Sequence, residues 1–234
     1  MLARPTPRLV FWDIDKTLVD IGDVSRKIYA AAFMAVTGLE LKRMPNMAGK
    51  TDRDLIVTSL RLHEIPEPES HLADFYHALT TATDARKDEI KQYGRCLPGA
   101  REAIEDLAKT SDLAQSVVTG NIRPIAETKL GVFDLAGAID FDIGGYGSDD
   151  SERATLVRLA RQRAQQKYGM TYPAQHTFVI GDTLHDIAGA KANNVRAIGV
   201  ASGGSTTDEL HAASADAVLA SLEDTQALTQ LLLG

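Results

Sequence analysis

Residues 9–20 read LVFWDIDKTLVD, and this stretch limits the possible fold more than any other in the chain. Four apolar side chains, Leu9, Val10, Phe11 and Trp12, run straight into two carboxylates one residue apart, Asp13 and Asp15. An unbroken apolar run suits a strand buried on both faces, as in the middle of a parallel sheet. Two acids at its end are costly to bury alone. They become tolerable at a strand terminus where a cation or a phosphate shares the site. Residues 8–14 are therefore expected to form a central parallel strand with chemistry at its carboxyl end.

After Gly22 the pattern turns helical. Val24, Ile28, Ala31, Ala35 and Leu39 fall at helical spacing, with Gly38 near the end. Thr51 with Asp54 three residues on resembles a capping box and opens a second helix carrying Leu55, Ile56 and Leu60. A third helix, with Leu72, Phe75 and Leu79, is expected to run to Tyr93. No strand is expected from residue 20 to 93. A strand-to-strand crossover normally needs one helix rather than three, so residues 20–93 are expected to form an inserted helical domain. Residues 1–19 and 94–234 would form the core. There, strands expected at 115–118, 138–143, 177–180, 196–200 and 217–219 alternate with helices. Alternating elements on short loops predict an α/β fold: a doubly wound, Rossmann-like parallel sheet carrying an inserted α-helical cap domain.

Three of these strands end in residues that can do chemistry: Asp13 with Asp15, Thr119 with Gly120 and Asn121, and Asp182 with Asp186. Parallel strands share one carboxyl edge, so the three clusters should meet at one rim, where open α/β sheets bind ligands. A calcium loop would need Gly at the sixth position and Glu at the twelfth, but Leu18 and Val24 stand there. Helix capping or surface ion pairing would explain an isolated acid pair, and explains three converging clusters poorly. A magnesium site beside an aspartate nucleophile explains them better. Magnesium takes oxygen ligands, a few carboxylates and a phosphate, which Asp13, a carbonyl near Asp15, and Asp182 would complete. Phosphoryl transfer also needs donors to the phosphate oxygens, and the Thr119 hydroxyl and Gly120 N–H qualify.

The composition restricts the partners. A net charge of −7 argues against a nucleic-acid groove or an anionic membrane surface. No window approaches the roughly 18 apolar residues of a membrane span. The N-terminus shows no secretory signal pattern, and Pro5 and Pro7 mark a short, loose leader. Cys96 is the single cysteine, which excludes an intrachain disulfide and fits a reducing compartment. A soluble, cytoplasmic monomer or homodimer is expected.

In that order and spacing, DIDKTLVD, VVTGN and VIGDTLHD resemble the motif pattern of the haloacid dehalogenase superfamily, and the helical insertion resembles that superfamily's small helical cap. The resemblance spans essentially the whole chain and points to the phosphoglycolate phosphatase-like branch. It implies magnesium dependence and an aspartyl-phosphate intermediate. By the resemblance Asp13 is the nucleophile and Asp15 the general acid/base. Thr119, with Gly120 and Asn121, binds phosphate, while Asp13, Asp15, Asp182 and Asp186 serve the metal. The substrate would be a small phosphorylated metabolite, phosphoglycolate-like or a sugar phosphate.

One motif departs from that pattern. The superfamily usually places a lysine between the second and last motifs, near a helix start. Lys129 and Lys167 look badly placed for it, and Arg153, opening the helix after GGYGSDD, is the expected substitute. Arginine can bind phosphate bidentately but cannot donate a catalytic proton; a surface pair with Asp149 or Asp150 is its alternative. Lys50 and Arg53 could contact the non-phosphate part of an acidic substrate, or form a solvated helix end. Lys16 either reaches the phosphate or points to solvent. The six histidines show no metal-ligand spacing. A phosphosugar mutase, a haloacid dehalogenase and a non-catalytic phosphate-binding protein compete with the phosphatase expectation. Asp15 argues against the dehalogenase, which needs no second acid.

Overall fold

A computed structural model describes residues 6–234; Met1 to Pro5 of the expected leader lie outside the described residues. The first strand, β1 (Arg8–Trp12), is the centre of the molecule because every residue after Arg8 is fully buried. Its alternation feeds two cores. Val10 and Trp12 join a large cluster on one face, and Leu9 and Phe11 join a second on the other. The indole N–H of Trp12 donates to Gln115 Oε1 at 3.0 Å, and Gln115 in turn donates to the carbonyl of Ile104 at 3.0 Å, so the polar atoms in this layer are satisfied.

A two-residue strand, β2 (Val19–Asp20), leads into four helices: α1 (Val24–Thr37), α2 (Asp52–Leu62), α3 (Leu72–Asp84) and α4 (Lys87–Tyr93). Gly38 closes α1 in the left-handed conformation, and Thr51 caps α2 by accepting from the Asp54 N–H at 3.2 Å. The single helix expected up to Tyr93 is two. Asp88 and Glu89 fall in the first turn of α4, where the helix dipole favours acids, and the chain restarts there. A second short strand, β3 (Arg95–Cys96), pairs antiparallel with β2, so a ribbon ties the entry of the helical segment to its exit. Two-residue strands carry no periodicity, which is why none was expected there.

The remaining elements alternate: α5 (Ala100–Ala108), β4 (Leu113–Val117), α6 (Arg123–Val132), α7 (Arg153–Tyr168), β5 (Thr177–Gly181), α8 (Leu184–Ala192), β6 (Arg196–Val200), α9 (Thr207–Ala212), β7 (Ala217–Leu219) and α10 (Thr225–Leu233). The sheet runs β4-β1-β5-β6-β7, with every pairing parallel. This is the expected α/β architecture. The strand expected at 138–143 is absent; short 3-10 turns at Ala136–Ala138 and Phe141–Ile143 stand there instead. Asp140 accepts from the Asp142 N–H at 3.0 Å and holds the chain in that turn. The segment still touches the sheet edge through Asp140 N to Gln115 O (2.8 Å) and Gly145 N to Val117 O (2.9 Å). Helices α3 and α4 lean on α6, and Phe33, Ile56, Phe75 and Leu79 share one hydrophobic cluster with Val10 and Trp12.

Candidate active site

Pairing of β1 with β5 continues one step past the strand, where the Asp13 N–H donates to the Ile180 carbonyl at 2.8 Å. That bond fixes Asp13 at the carboxyl edge. The next residues turn sharply: Leu18 N–H bonds to Ile14 O at 2.9 Å, with Lys16 in the left-handed region at φ 67°. Thr17 is thereby aimed back at the rim, and its hydroxyl donates to Asp182 Oδ1 at 3.2 Å. Asp182 Oδ2 accepts from the Gly204 N–H at 2.6 Å. A side chain at Gly203 would overlap both Lys16 and Asp182, so the loop after β6 can approach this closely only without one.

Asp186 sits in the first turn of α8 and forms a reciprocal capping box with Thr183. Its Oδ2 accepts from Thr183 Oγ1 at 2.6 Å and from the Thr183 N–H at 3.1 Å. Its Oδ1 is buried without a hydrogen bond. Oxygens of Asp13, Asp182 and Asp186 lie within 4.8 Å of one another, and all three residues are buried. Such crowding penalises charge. Burial, followed by the Asp186 carboxylate, holds the Asp13 carboxyl well above the usual carboxylate range, and burial pushes Asp182 up to about 6. A buried acid triad with an oxygen that accepts no hydrogen bond fits a hard divalent cation.

Among the described residues, the one cation inside this cluster is Arg153. From the first position of α7 it reaches Asp13 Oδ1 at 3.5 Å and Asp186 Oδ1 at 3.3 Å, while its guanidinium donates to the Val118 carbonyl at 3.2 Å. It is buried and does not pair with Asp149, which is held by Arg163 at 2.6 Å. The position expected from the sequence is thus brought to the rim.

Asp15 is not part of the triad and has partners of its own. Lys129 donates to both of its carboxylate oxygens at 2.7 Å and to Asn121 Oδ1 at 2.8 Å. The Asn121 amide donates to Asp15 Oδ2 at 2.7 Å and to Thr119 Oγ1 at 2.9 Å. Thr119 Oγ1 also accepts from the Asn121 N–H at 3.2 Å, which leaves its own proton to donate elsewhere. Lys129, expected to be badly placed, is therefore at the centre of the site. Its signal was present in the sequence: it shares the buried face of α6 with Ile125, Ala126 and Leu130, and a lysine on such a face needs a partner. Lys167 remains remote, tied to Asp140 at 2.7 Å and Asp142 at 2.9 Å.

Asp13, Asp15, Asp182, Arg153, Thr119, Asn121 and Lys129 line one cavity of about 320 Å³, roofed by residues from the ribbon and from α1 and α2, while Asp186 lies buried outside its lining. The start of α2 docks on the loops of the sheet. The Asp52 N–H donates to Gly120 O at 2.7 Å, Asp52 Oδ2 accepts from the Ile122 N–H at 2.7 Å, and the buried Tyr29 hydroxyl donates to Asp52 Oδ1. Burial pushes the Asp52 carboxyl up to about 6, against the opposing effect of those bonds. Neither Asp52 nor Tyr29 was singled out in the sequence, because an acid at a helix start reads as a dipole partner. Lys50 lines the cavity but bonds Asp54 at 2.8 Å; Arg53 does not line it and neighbours Tyr76. Lys16, half exposed, pairs with Asp20 at 2.6 Å.

The sequence matches the haloacid dehalogenase-like hydrolase family over residues 10–191. It is 26% identical over 213 residues to a phosphoglycolate phosphatase of Agrobacterium fabrum, covering 87% of this chain and 84% of that one. It is 28% identical over 215 residues to a 5'-nucleotidase of Pseudomonas aeruginosa, covering 88% and 87%. Among solved structures, CbbY from Rhodobacter sphaeroides in complex with phosphate superposes with a TM-score of 0.71 at 20% identity, covering 94% of this chain and 96% of that one. Motifs, fold and comparisons agree: the chain belongs to the haloacid dehalogenase-like hydrolases.

Proposed function

We propose that the chain is a magnesium-dependent phosphatase that hydrolyses a small phosphorylated metabolite through an aspartyl phosphate on Asp13. The observation that carries the reading is that Asp13 and Asp182, which form a buried triad with Asp186 behind them, line one cavity with Arg153, Lys129 and a Thr119 hydroxyl free to donate. Asp13, Asp182 and Asp186 would hold the metal ion, which when bound offsets their mutual repulsion and withdraws charge from the phosphate. The Asp13 carboxylate attacks phosphorus in line, and the phosphorus–oxygen bond to the leaving alcohol breaks. Asp15 gives that alcohol its proton, then takes one from the water that hydrolyses the acyl phosphate. Arg153 and the Thr119 hydroxyl hold the phosphoryl oxygens as charge shifts among them, while Lys129 fixes the Asp15 carboxyl. Asn121, its amide engaged with Asp15, orients the acid rather than the phosphate. Residues 20–93 act as a cap, with Lys50 at the mouth and Arg53 outside it. The single cysteine and the small-molecule chemistry suit a cytoplasmic enzyme.

A phosphate-release screen over a panel of phosphomonoesters, with and without magnesium, tests this beside Asp13→Asn. Release that needs magnesium and vanishes in Asp13→Asn is expected. Magnesium-independent release, or full activity in the variant, would refute the mechanism.

A further inference from the structure

The part of the cavity wall supplied by residues 16–55 has a chemistry of its own. Ile21, Ile28, Met47 and Leu55 give it an apolar surface. Its cations are already matched: Lys16 bonds Asp20 at 2.6 Å, and Lys50 bonds Asp54 at 2.8 Å. Asp52 has no cation among its hydrogen-bond partners, which are the Tyr29 hydroxyl and the Ile122 N–H. Those two bonds fill about half of the acceptor sites on a carboxylate and leave room for a further donor. Lys129 and Arg153 are committed to other acids, Lys129 to Asp15 and Arg153 to Asp13 and Asp186.

We propose that this wall receives a neutral, hydroxyl-bearing leaving group with some apolar surface and turns away one that carries a second anion. The substrates are then phosphomonoesters of neutral alcohols, not phosphorylated hydroxy acids. The inference rests on the phosphatase reading and narrows it, against the alternative in which Lys50 and Arg53 contact an acidic substrate. A substrate hydroxyl can donate to Asp52 while its carbon frame lies on the isoleucines. A substrate carboxylate meets the same acid with no free cation, and would have to take Lys50 from Asp54 or Lys16 from Asp20.

The test uses a matched pair with the same two-carbon frame, 2-hydroxyethyl phosphate and 2-phosphoglycolate. Turnover is measured with magnesium, and binding of each ester is measured on Asp13→Asn. The neutral ester is expected to be favoured at least about tenfold in kcat/KM and in binding, equivalent to about 1.4 kcal/mol. Glycerol 1-phosphate and a nucleoside 5'-monophosphate tell a compact neutral alcohol from a ring-bearing one, and a preference for either over phosphoglycolate supports the proposal. Asp52→Asn and, separately, Asp54→Ala, which releases Lys50, are each expected to narrow the gap at least about threefold, because each removes one of the two obstacles to a second anion. Equal or better use of phosphoglycolate, or an unchanged ratio in both variants, would overturn it. If neither ester is hydrolysed but the neutral one still binds more tightly, the phosphatase reading falls and this one stands.

Discussion

Replacing Lys129 by methionine separates the chemistry of the site from its stability. The lysine side chain is 5% exposed, and its ammonium holds Asp15 through two bonds of 2.7 Å and Asn121 through one of 2.8 Å. Stranding one member of a buried ion pair normally costs about 3–5 kcal/mol. Here the partner left behind is 42% exposed and keeps its bond from the Asn121 amide, so water can take over. Methionine also suits the apolar face of α6 that Ile125 and Leu130 share. The expected stability loss is therefore only about 1 kcal/mol, the net worth of an ordinary intramolecular bond. Catalysis should suffer far more. A positioned general acid is worth about 10²–10⁴-fold, and without Lys129 the Asp15 carboxyl keeps one of its three fixing bonds. For an alkyl phosphate, whose alcohol must be protonated as it leaves, kcat is expected to fall about 100-fold. For p-nitrophenyl phosphate, whose leaving group departs without a proton, the fall should be about threefold. Urea unfolding and steady-state kinetics on the two esters measure both effects. Equal losses on the two substrates would refute the positioning argument and assign Lys129 to the phosphate itself.

Asp52→Asn is expected to remove a fall in stability between about pH 4 and pH 6. Because burial raises the folded Asp52 carboxyl to about 6, the folded state holds a proton that the unfolded chain releases near 4. Stability from this group is full below about 4 and is lost as pH rises through about 6, by up to roughly 3 kcal/mol; chemical denaturation at pH 4.5 and 7.5 measures the difference, and an identical slope in wild type and variant would count against it. Arg153→Met removes the cation that competes for Asp13 and Asp186, so magnesium should bind at least about tenfold more tightly while turnover falls; weaker binding in a metal titration would contradict this. At Gly147 a methyl group would overlap the Gly120 carbonyl and crowd the Asp52 N–H. Gly147→Ala is expected to lower Tm by several degrees, about 1–3 kcal/mol of overpacking, and scanning calorimetry would show it.

The parts of the molecule legible in the sequence were those with strong one-dimensional patterns. The apolar run into Asp13 identified the central strand, and Asp182 and Thr119 were marked by the same grammar of an apolar strand followed by a polar turn. Arg153 was marked because it opens the helix after GGYGSDD. Lys129 was misjudged because its position was weighed by distance along the chain, when the buried face of α6 decides where it points. The strand expected at 138–143 failed because its apolar residues are interrupted by Asp140 and Asp142, whose turn bonds outweigh a weak edge pairing. Asp52 was out of reach for a different reason: its role depends on Tyr29 and Ile122, which come from two other segments.

Trp12 gives the chain an optical property that follows directly from its place in β1. It is the sole tryptophan, fully buried, hydrogen-bonded to Gln115, and covalently adjacent to Asp13. Emission from the folded protein therefore reports a single environment, blue-shifted, one peptide bond from the proposed nucleophile. Unfolding exposes it completely, and a change of charge on Asp13 perturbs it locally. Cation binding, phosphoryl capture and global unfolding can thus be followed through one intrinsic fluorophore, with no label introduced.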